Sequence, residues 1–333
     1  MTQATYAFWG TMIATMKKTT GAASFAVLIA LAAGQASAQN WPTRPIEMII
    51  PFSAGGGVDI IGRAVASAIS EQIGQNIVVV NREGAGGTLG FGQLAAAAPD
   101  GYTLGFGPTT PISNAPYLVK GVRYNVESFD YICQVFENVF SIAVGPQSKF
   151  NTAQELLAFA RENPGKLTYG HAGVGSIPHL SVENFADALD VKVTHAPFRG
   201  DNALLPMLLN GELDFAAPAV SSIQGRDIRP LVVFSEKRHP ALPNVPTAGE
   251  LGVKTSVPPG FNGLYAPKGL PKEVKAALEQ ACAKAVTHDA VKKATANTGQ
   301  TVSHLTGAQF HDRTAADYKF KGELIKRLGL GNQ

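Results

Sequence analysis

Two successive series of short β-branched runs, each alternating with helix-patterned segments, constrain this chain more than any other feature. Ile46 to Phe52 reads as a strand that ends in a serine–alanine–glycine loop. A helix opens near Val58, carries Ile61, Val65, Ile69 and Ile73 at i, i+4 spacing, and closes at Gly74. Ile77 to Val80 is fully apolar, the pattern of a parallel strand covered on both faces. A glycine-rich loop from Asn81 to Gly87, a helix from Leu89 to Ala98, a turn at Pro99-Asp100-Gly101 and a strand from Tyr102 to Phe106 complete the first series. After Asp130 the alternation begins again. Strands are expected at Ser141–Val144, Leu167–Gly170, Val191–Ala196 and Leu213–Ala217, and helices at Ala153–Glu162, Pro178–Leu189 and Asn202–Leu209. A last strand, Phe261 to Tyr265, precedes helices opening at Pro271, around Asp289 and at Ala308. This is an α/β layered pattern in two runs joined near residue 139, with a mostly helical tail after 263.

The N-terminus reads as an export signal. Lys17 and Lys18 precede an apolar run from Ala22 to Ala33, which ends in Ala36-Ser37-Ala38, the small-x-small pattern of a cleavage site. That run is shorter than the ~20 residues a membrane span requires. Residues 1–38 are therefore expected to be removed after Ala38, and Met16 makes a more natural start than Met1. The remainder carries a net charge of +1, which provides no electrostatic footprint for nucleic acid or an anionic membrane surface. Two cysteines, Cys133 in the apolar run Phe129–Phe136 and Cys282 in an Ala-rich helical stretch, fit no metal motif. Both are expected to be buried thiols, the alternative being a long-range disulfide.

No enzyme constellation is present in the sequence. Ser176 has Val174 and Pro178 where a nucleophile elbow needs glycines, Gly165-Lys166 is followed by Leu167, and Gly84-x-Gly86 meets Leu89 in place of a third glycine. The seven histidines are scattered, and none pairs with another at i+3 or i+4. Neither a metal nor a cofactor is expected.

Two strand–glycine loop–helix junctions stand out instead: Phe52-Ser53-Ala54-Gly55-Gly56-Gly57-Val58-Asp59 and Gly170-His171-Ala172-Gly173-Val174-Gly175-Ser176. A helix start leaves its first N–H groups unpaired and carries about half a positive charge. Glycine lets an anion reach the main chain, so such a junction can hold a carboxylate without Lys or Arg. The competing reading of each loop is a plain tight α/β turn. Asp59 either caps its helix or meets a positive group on a ligand. Ser176 can cap its helix and still offer a hydroxyl, and His179 in the first turn is either a buried, satisfied ring or a cleft contact. Arg199 is the candidate for a direct cation–carboxylate contact, against an exposed surface position. If the second loop donates its amides, Gly175→Pro should abolish acid binding and leave the fold largely intact.

Together with Asn81-Arg82-Glu83-Gly84-Ala85-Gly86-Gly87, Ala98-Pro99-Asp100-Gly101-Tyr102-Thr103-Leu104, Asn163-Pro164-Gly165-Lys166-Leu167-Thr168-Tyr169-Gly170, Gly175-Ser176-Ile177-Pro178-His179-Leu180 and Arg238-His239-Pro240-Ala241-Leu242-Pro243-Asn244-Val245-Pro246-Thr247, these junctions resemble the Bug-type receptors of the tripartite tricarboxylate transporter family. The resemblance implies a two-lobe, clamshell-like periplasmic binding protein (type II) with a central cleft. One lobe would be 39–138 plus 264–333, the other 139–263. It implies a small carboxylate ligand, mono-, di- or tricarboxylate; the phenylalanines near the site would suit an aromatic acid among these. That ligand would lie against Phe52, Ser53, Ala54, Gly55, Gly56 and Asp59, against Thr109 and Thr110, against Gly173, Val174, Gly175, Ser176 and His179, and against Phe198, Arg199 and Ala219. Phe52, Phe106 and Phe198 are the aromatic side chains expected near it. It further implies membrane permease subunits as partners and a monomeric receptor; a periplasmic ligand-sensing subunit of a two-component system is the alternative. Where the family often has an Asn or Asp near position 218 or 219 this chain has Pro218 and Ala219, and Ser222 to Arg229 is about two residues shorter than usual, both at positions that tell ligands apart.

Overall fold

The computed structural model describes residues 41–331, so the signal-like segment lies outside the described residues. From Arg44 onward the chain forms one compact unit. Its first sheet has the order β11-β4-β10-β3-β1-β2. The strands are β1 (Ile46–Ile50), β2 (Ile77–Asn81), β3 (Thr103–Pro108), β4 (Phe129–Asn138), β10 (Gly260–Pro267) and β11 (Thr301–Thr306). β1 pairs in parallel with β2 and β3, while β10 runs antiparallel between β3 and β4. The second sheet, order β7-β6-β8-β5-β9, is built from β5 (Ser141–Val144), β6 (Thr168–His171), β7 (Thr194–Pro197), β8 (Phe215–Ala216) and β9 (Arg229–Val233). The architecture is α/β in two lobes, each with its own sheet and core.

Between β1 and β2 runs α1 (Gly57–Ile73), which buries Ile61, Val65 and Ile69. It stops at Gly74, whose left-handed φ of 69° lets its N–H reach Ser70 O at 3.0 Å. Gly62 on this helix lies so close to the sheet that a Cβ would come within 2.6 Å of Ile50 and 2.8 Å of Phe106. Next come α2 (Thr88–Ala96) and the one-turn helices α3 (Thr110–Ser113) and α4 (Ala115–Leu118). The second lobe carries α5 (Ala153–Glu162), α6 (Ile177–Ala188), α7 (Asp201–Leu209) and α8 (Val220–Ile223), followed by α9 (Lys272–Thr287), α10 (Asp289–Asn297) and α11 (Gly307–Arg327) back in the first. α11 reaches both lobes. Its buried Lys321–Asp317 pair, at 2.7 Å, packs against Ser113, and its last turn places Leu324 and Ile325 against Ile177 and Leu180 while Arg327 pairs with Asp187 at 3.1 Å.

Three expectations change. β2 is an edge strand with Val78 45% exposed, not a strand covered on both faces, because nothing pairs beyond it in the sheet. Cys133 on β4 and Cys282 on α9 form a disulfide rather than two free thiols; α9 packs on β4 and brings the two Cα atoms to 6.5 Å, a proximity that a separation of 149 residues hides. β4, β9 and β11 fall outside the expected strands. No residue of β11 is more than partly buried, so it lacks the apolar run that marks a strand in sequence.

Candidate ligand-binding cleft

The first glycine loop bridges β1 and α1, and Asp59 organises it. Oδ2 of this buried carboxylate accepts from Gly55 N and Arg63 Nε, both at 2.9 Å, and Oδ1 accepts from Asn81 Nδ2 at 2.9 Å. Burial works to raise its pKa, but the bonds from Arg63, Asn81 and Gly55 outweigh it and hold the carboxyl below its ordinary value. Asp59 is thus a clasp for the loop and not a cap on the helix amides. With Gly55 committed, the N–H groups of Gly56, Gly57 and Val58 at the start of α1 donate to no acceptor among the described residues. The hydroxyl of Ser53 is bonded to Glu83.

The second loop joins β6 to α6 and needs glycine twice, at Gly173 (φ 111°) and Gly175 (φ 74°). Ser176 caps α6, its hydroxyl accepting from His179 N at 3.4 Å. Gly175 N donates to His179 Nδ1 at 3.0 Å, and Gly175 O accepts from Asn114 Nδ2 at 2.7 Å, a bond that crosses between the lobes. This leaves the N–H groups of Val174 and Ile177 without an acceptor among the described residues.

Three histidines scattered in sequence meet behind this loop. His171 and His179 stack at 4.3 Å between ring centroids, and His171 Nε2 lies 3.2 Å from His195 Nδ1. Burial depresses the pKa of His171 to about 4 and that of His179 to about 3, so both rings are neutral near neutral pH. Ligating nitrogens of the three rings fall within 4.8 Å of one another. However, Nδ1 of neutral His179 is spent accepting from Gly175, which puts the ring proton on Nε2 and withholds that lone pair from a metal ion. The cluster supports the loop from behind.

Two adjoining cavities open between the loops. One, of about 530 Å³, is lined by Thr110, Gly173, Val174, Gly175 and Ser176; the other, of about 790 Å³, by Ser53, Ala54, Gly55, Gly56, Asp59 and Ala219. Phe52, Val58, Asn138, Phe140 and Ala172 line both. Among the described residues no Lys, Arg or His lines either cavity, and the charged lining groups are Asp59 and Asp201. Burial raises the pKa of Asp201, against which work bonds from Ser222 and from Ala219 N, the latter at 2.9 Å.

Other expected contacts lie elsewhere. Thr109 is buried, with its N–H on Phe261 O at 3.0 Å, and His179 sits behind its loop. Phe198, partly buried, packs against the second lobe's core with Leu204 and Leu213, Arg199 is exposed, and neither lines either of these two cavities. Phe106 is fully buried in the first lobe. Residues the sequence reading did not name are Asn138, Phe140 and Asn262, which lie where the chain crosses between lobes, and Asp201 at the start of α7. An asparagine at each crossing, at the end of β4 and near the start of β10, was the available signal.

Residues 61–330 match the model of the tripartite tricarboxylate transporter family receptor. The chain belongs to this family. It is of the Bug type, with Bug proteins among both its sequence relatives and its solved neighbours. A UPF0065 protein of Cupriavidus necator is 34% identical to this receptor over 313 residues, covering 93% of this chain and 95% of its own. A Rhodopseudomonas palustris protein solved with adipate superposes with a TM-score of 0.77 at 25% identity, covering 88% of this chain and all of its own. MatC of the same organism, with bound malate, gives 0.73 at 25% identity over 86% of this chain and all of its own. Receptors of this family are periplasmic solute-binding proteins for carboxylates that serve a transporter, and they bind without turnover.

Proposed function

We propose that this receptor captures one small carboxylate in the cleft and presents it, enclosed, to the membrane subunits of a tripartite tricarboxylate-type transporter. The observation that carries the reading is the pair of helix starts facing the cleft. Five main-chain N–H groups, of Gly56, Gly57, Val58, Val174 and Ile177, lack an acceptor among the described residues, and no cationic side chain competes for an anion there. N–H bonds to a charged group contribute roughly 1.5–3 kcal/mol each, and the helix dipoles add to them. Adipate and malate in solved neighbours support the ligand class. Residues 39–138 with 264–333 form one closing lobe and 139–263 the other. A ligand that touches both lobes only when they approach favours the closed form by that difference in contact. The working receptor is a monomer released into the periplasm by cleavage after Ala38.

A thermal-shift panel of mono-, di- and tricarboxylates, amino acids, sugars and cations on the mature protein tests this. A true ligand at 100 times its Kd adds about 2.7 kcal/mol of stability. Stabilisation by sugars or cations alone would overturn it.

A further inference from the structure

Two carboxamide oxygens inside the smaller cavity have no hydrogen-bond partner among the described residues. Asn262 on β10 is 2% exposed, Asn138 ends β4, both line the cavity, and Oδ1 of each is buried without a hydrogen-bond partner among the described residues. Asn138 is the ladder partner of Gly260, so Asn262, two residues on, shares its face of the paired strands. Such diagonal neighbours lie roughly 7–8 Å apart, within the span of one small ligand. Gly260, between them, adds no side chain to the space. The rest of the lining is mostly apolar, with Phe52, Leu118, Val119, Phe140 and Ile177; its other polar side chains are Thr88, Thr110, Asn114 and Ser176, and no charged side chain is among the described lining residues. Buried polar groups are nearly always satisfied, so two unpartnered amides at one cavity ask for a polar group from the ligand.

We propose that the carboxylate ligand also carries an apolar body and a hydroxyl group, and that the hydroxyl is read by Asn138 and Asn262. This rests on the reading that the carboxylate itself sits on the loop amides. A hydroxyl donates and accepts, so it satisfies a carboxamide in either orientation about its last bond, whereas a second carboxylate can only accept. A second carboxylate would in addition give up its hydration in an apolar chamber with no counter-charge. The substrate class is a hydroxylated monocarboxylate with an aromatic or aliphatic body.

Calorimetric titration of the mature protein with benzoate, 3- and 4-hydroxybenzoate, terephthalate, hexanoate, 6-hydroxyhexanoate and adipate tests the assignment. The better hydroxy acid of at least one series should bind about tenfold more tightly than its unsubstituted parent and its matched diacid, as one added bond to a buried acceptor implies. Asn262→Leu, and independently Asn138→Ala, should bring that ratio close to one in protein whose melting curve remains cooperative. Equal binding of parent and hydroxy acids, preference for the diacid, or a ratio untouched in both variants overturns the hydroxyl assignment while the loop-amide reading stands. Binding by none of the acids overturns both.

Discussion

Replacing Gly175 with alanine tests how tightly the second loop is built. The residue adopts φ 74°, in the left-handed region where a Cβ costs about 1–2 kcal/mol. An added Cβ would also lie 2.1 Å from Leu118 Cδ1 and 3.3 Å from its Cγ, so the leucine must move. Overpacking of this kind costs about 1–3 kcal/mol. The two effects sum to about 2–5 kcal/mol, the lower end applying if Leu118, which is only partly buried, swings away. Urea unfolding monitored by circular dichroism measures the loss as a shift of midpoint at constant slope. In a Leu118→Ala background the steric part disappears, and the same substitution should cost only the backbone part, about 1–2 kcal/mol. A loss below about 1 kcal/mol in the wild-type background, or equal losses in both backgrounds, would refute the packing of this loop on α4. The same φ also corrects an expectation drawn from sequence. Gly175→Pro cannot leave the fold intact, because proline holds φ near −65° and lacks the N–H that bonds His179.

Other outcomes follow from the same geometry. Removing the disulfide by Cys282→Ala should cost about 2–5 kcal/mol, given the 149-residue loop it closes, and calorimetry with and without reductant should show the wild type falling to the variant's melting temperature. His171 and His179 have folded pKa values depressed from 6.5 to about 4 and about 3, so the unfolded chain binds their protons first and stability falls as pH drops from 6.5 toward 4. Each ring contributes a slope of at most about 1.4 kcal/mol per pH unit, and His171→Gln should flatten the measured stability–pH curve in that window; an unchanged slope contradicts the assignment. Arg199 lies outside both cavities, so Arg199→Ala should leave carboxylate affinity within about twofold, and a tenfold loss would mean that the side chain reaches the ligand.

Much of the first lobe could be read locally. The i, i+4 stripe of Ile61, Val65 and Ile69 does face the core, and Gly74 does end the helix, because both depend only on contacts within a few residues. The glycine junctions were visible for the same reason. What escaped depends on partners far away in sequence. Asp59 takes its role as a clasp in part from Asn81 on the next strand, the His171–His179–His195 cluster needs β6, α6 and β7 assembled, and Cys133 meets Cys282 only when α9 docks on β4. Asn138 and Asn262 become cavity residues because antiparallel pairing of β4 with β10 turns them to one face, a register that no pattern within either strand specifies. Arg199 follows directly on β7 in Phe198-Arg199-Gly200, yet Phe198 packs against the second lobe's core and the arginine stays exposed.

Nitrogen-15 NMR titration of the mature receptor with a carboxylate selected by thermal shift tests the central claim most directly. The account predicts downfield amide proton shifts, saturating with the binding isotherm, at Gly56, Gly57, Val58, Val174 and Ile177, with the Gly55 amide held on Asp59 and moving least. Saturable binding that leaves those five amides unmoved while side-chain signals elsewhere shift would contradict it.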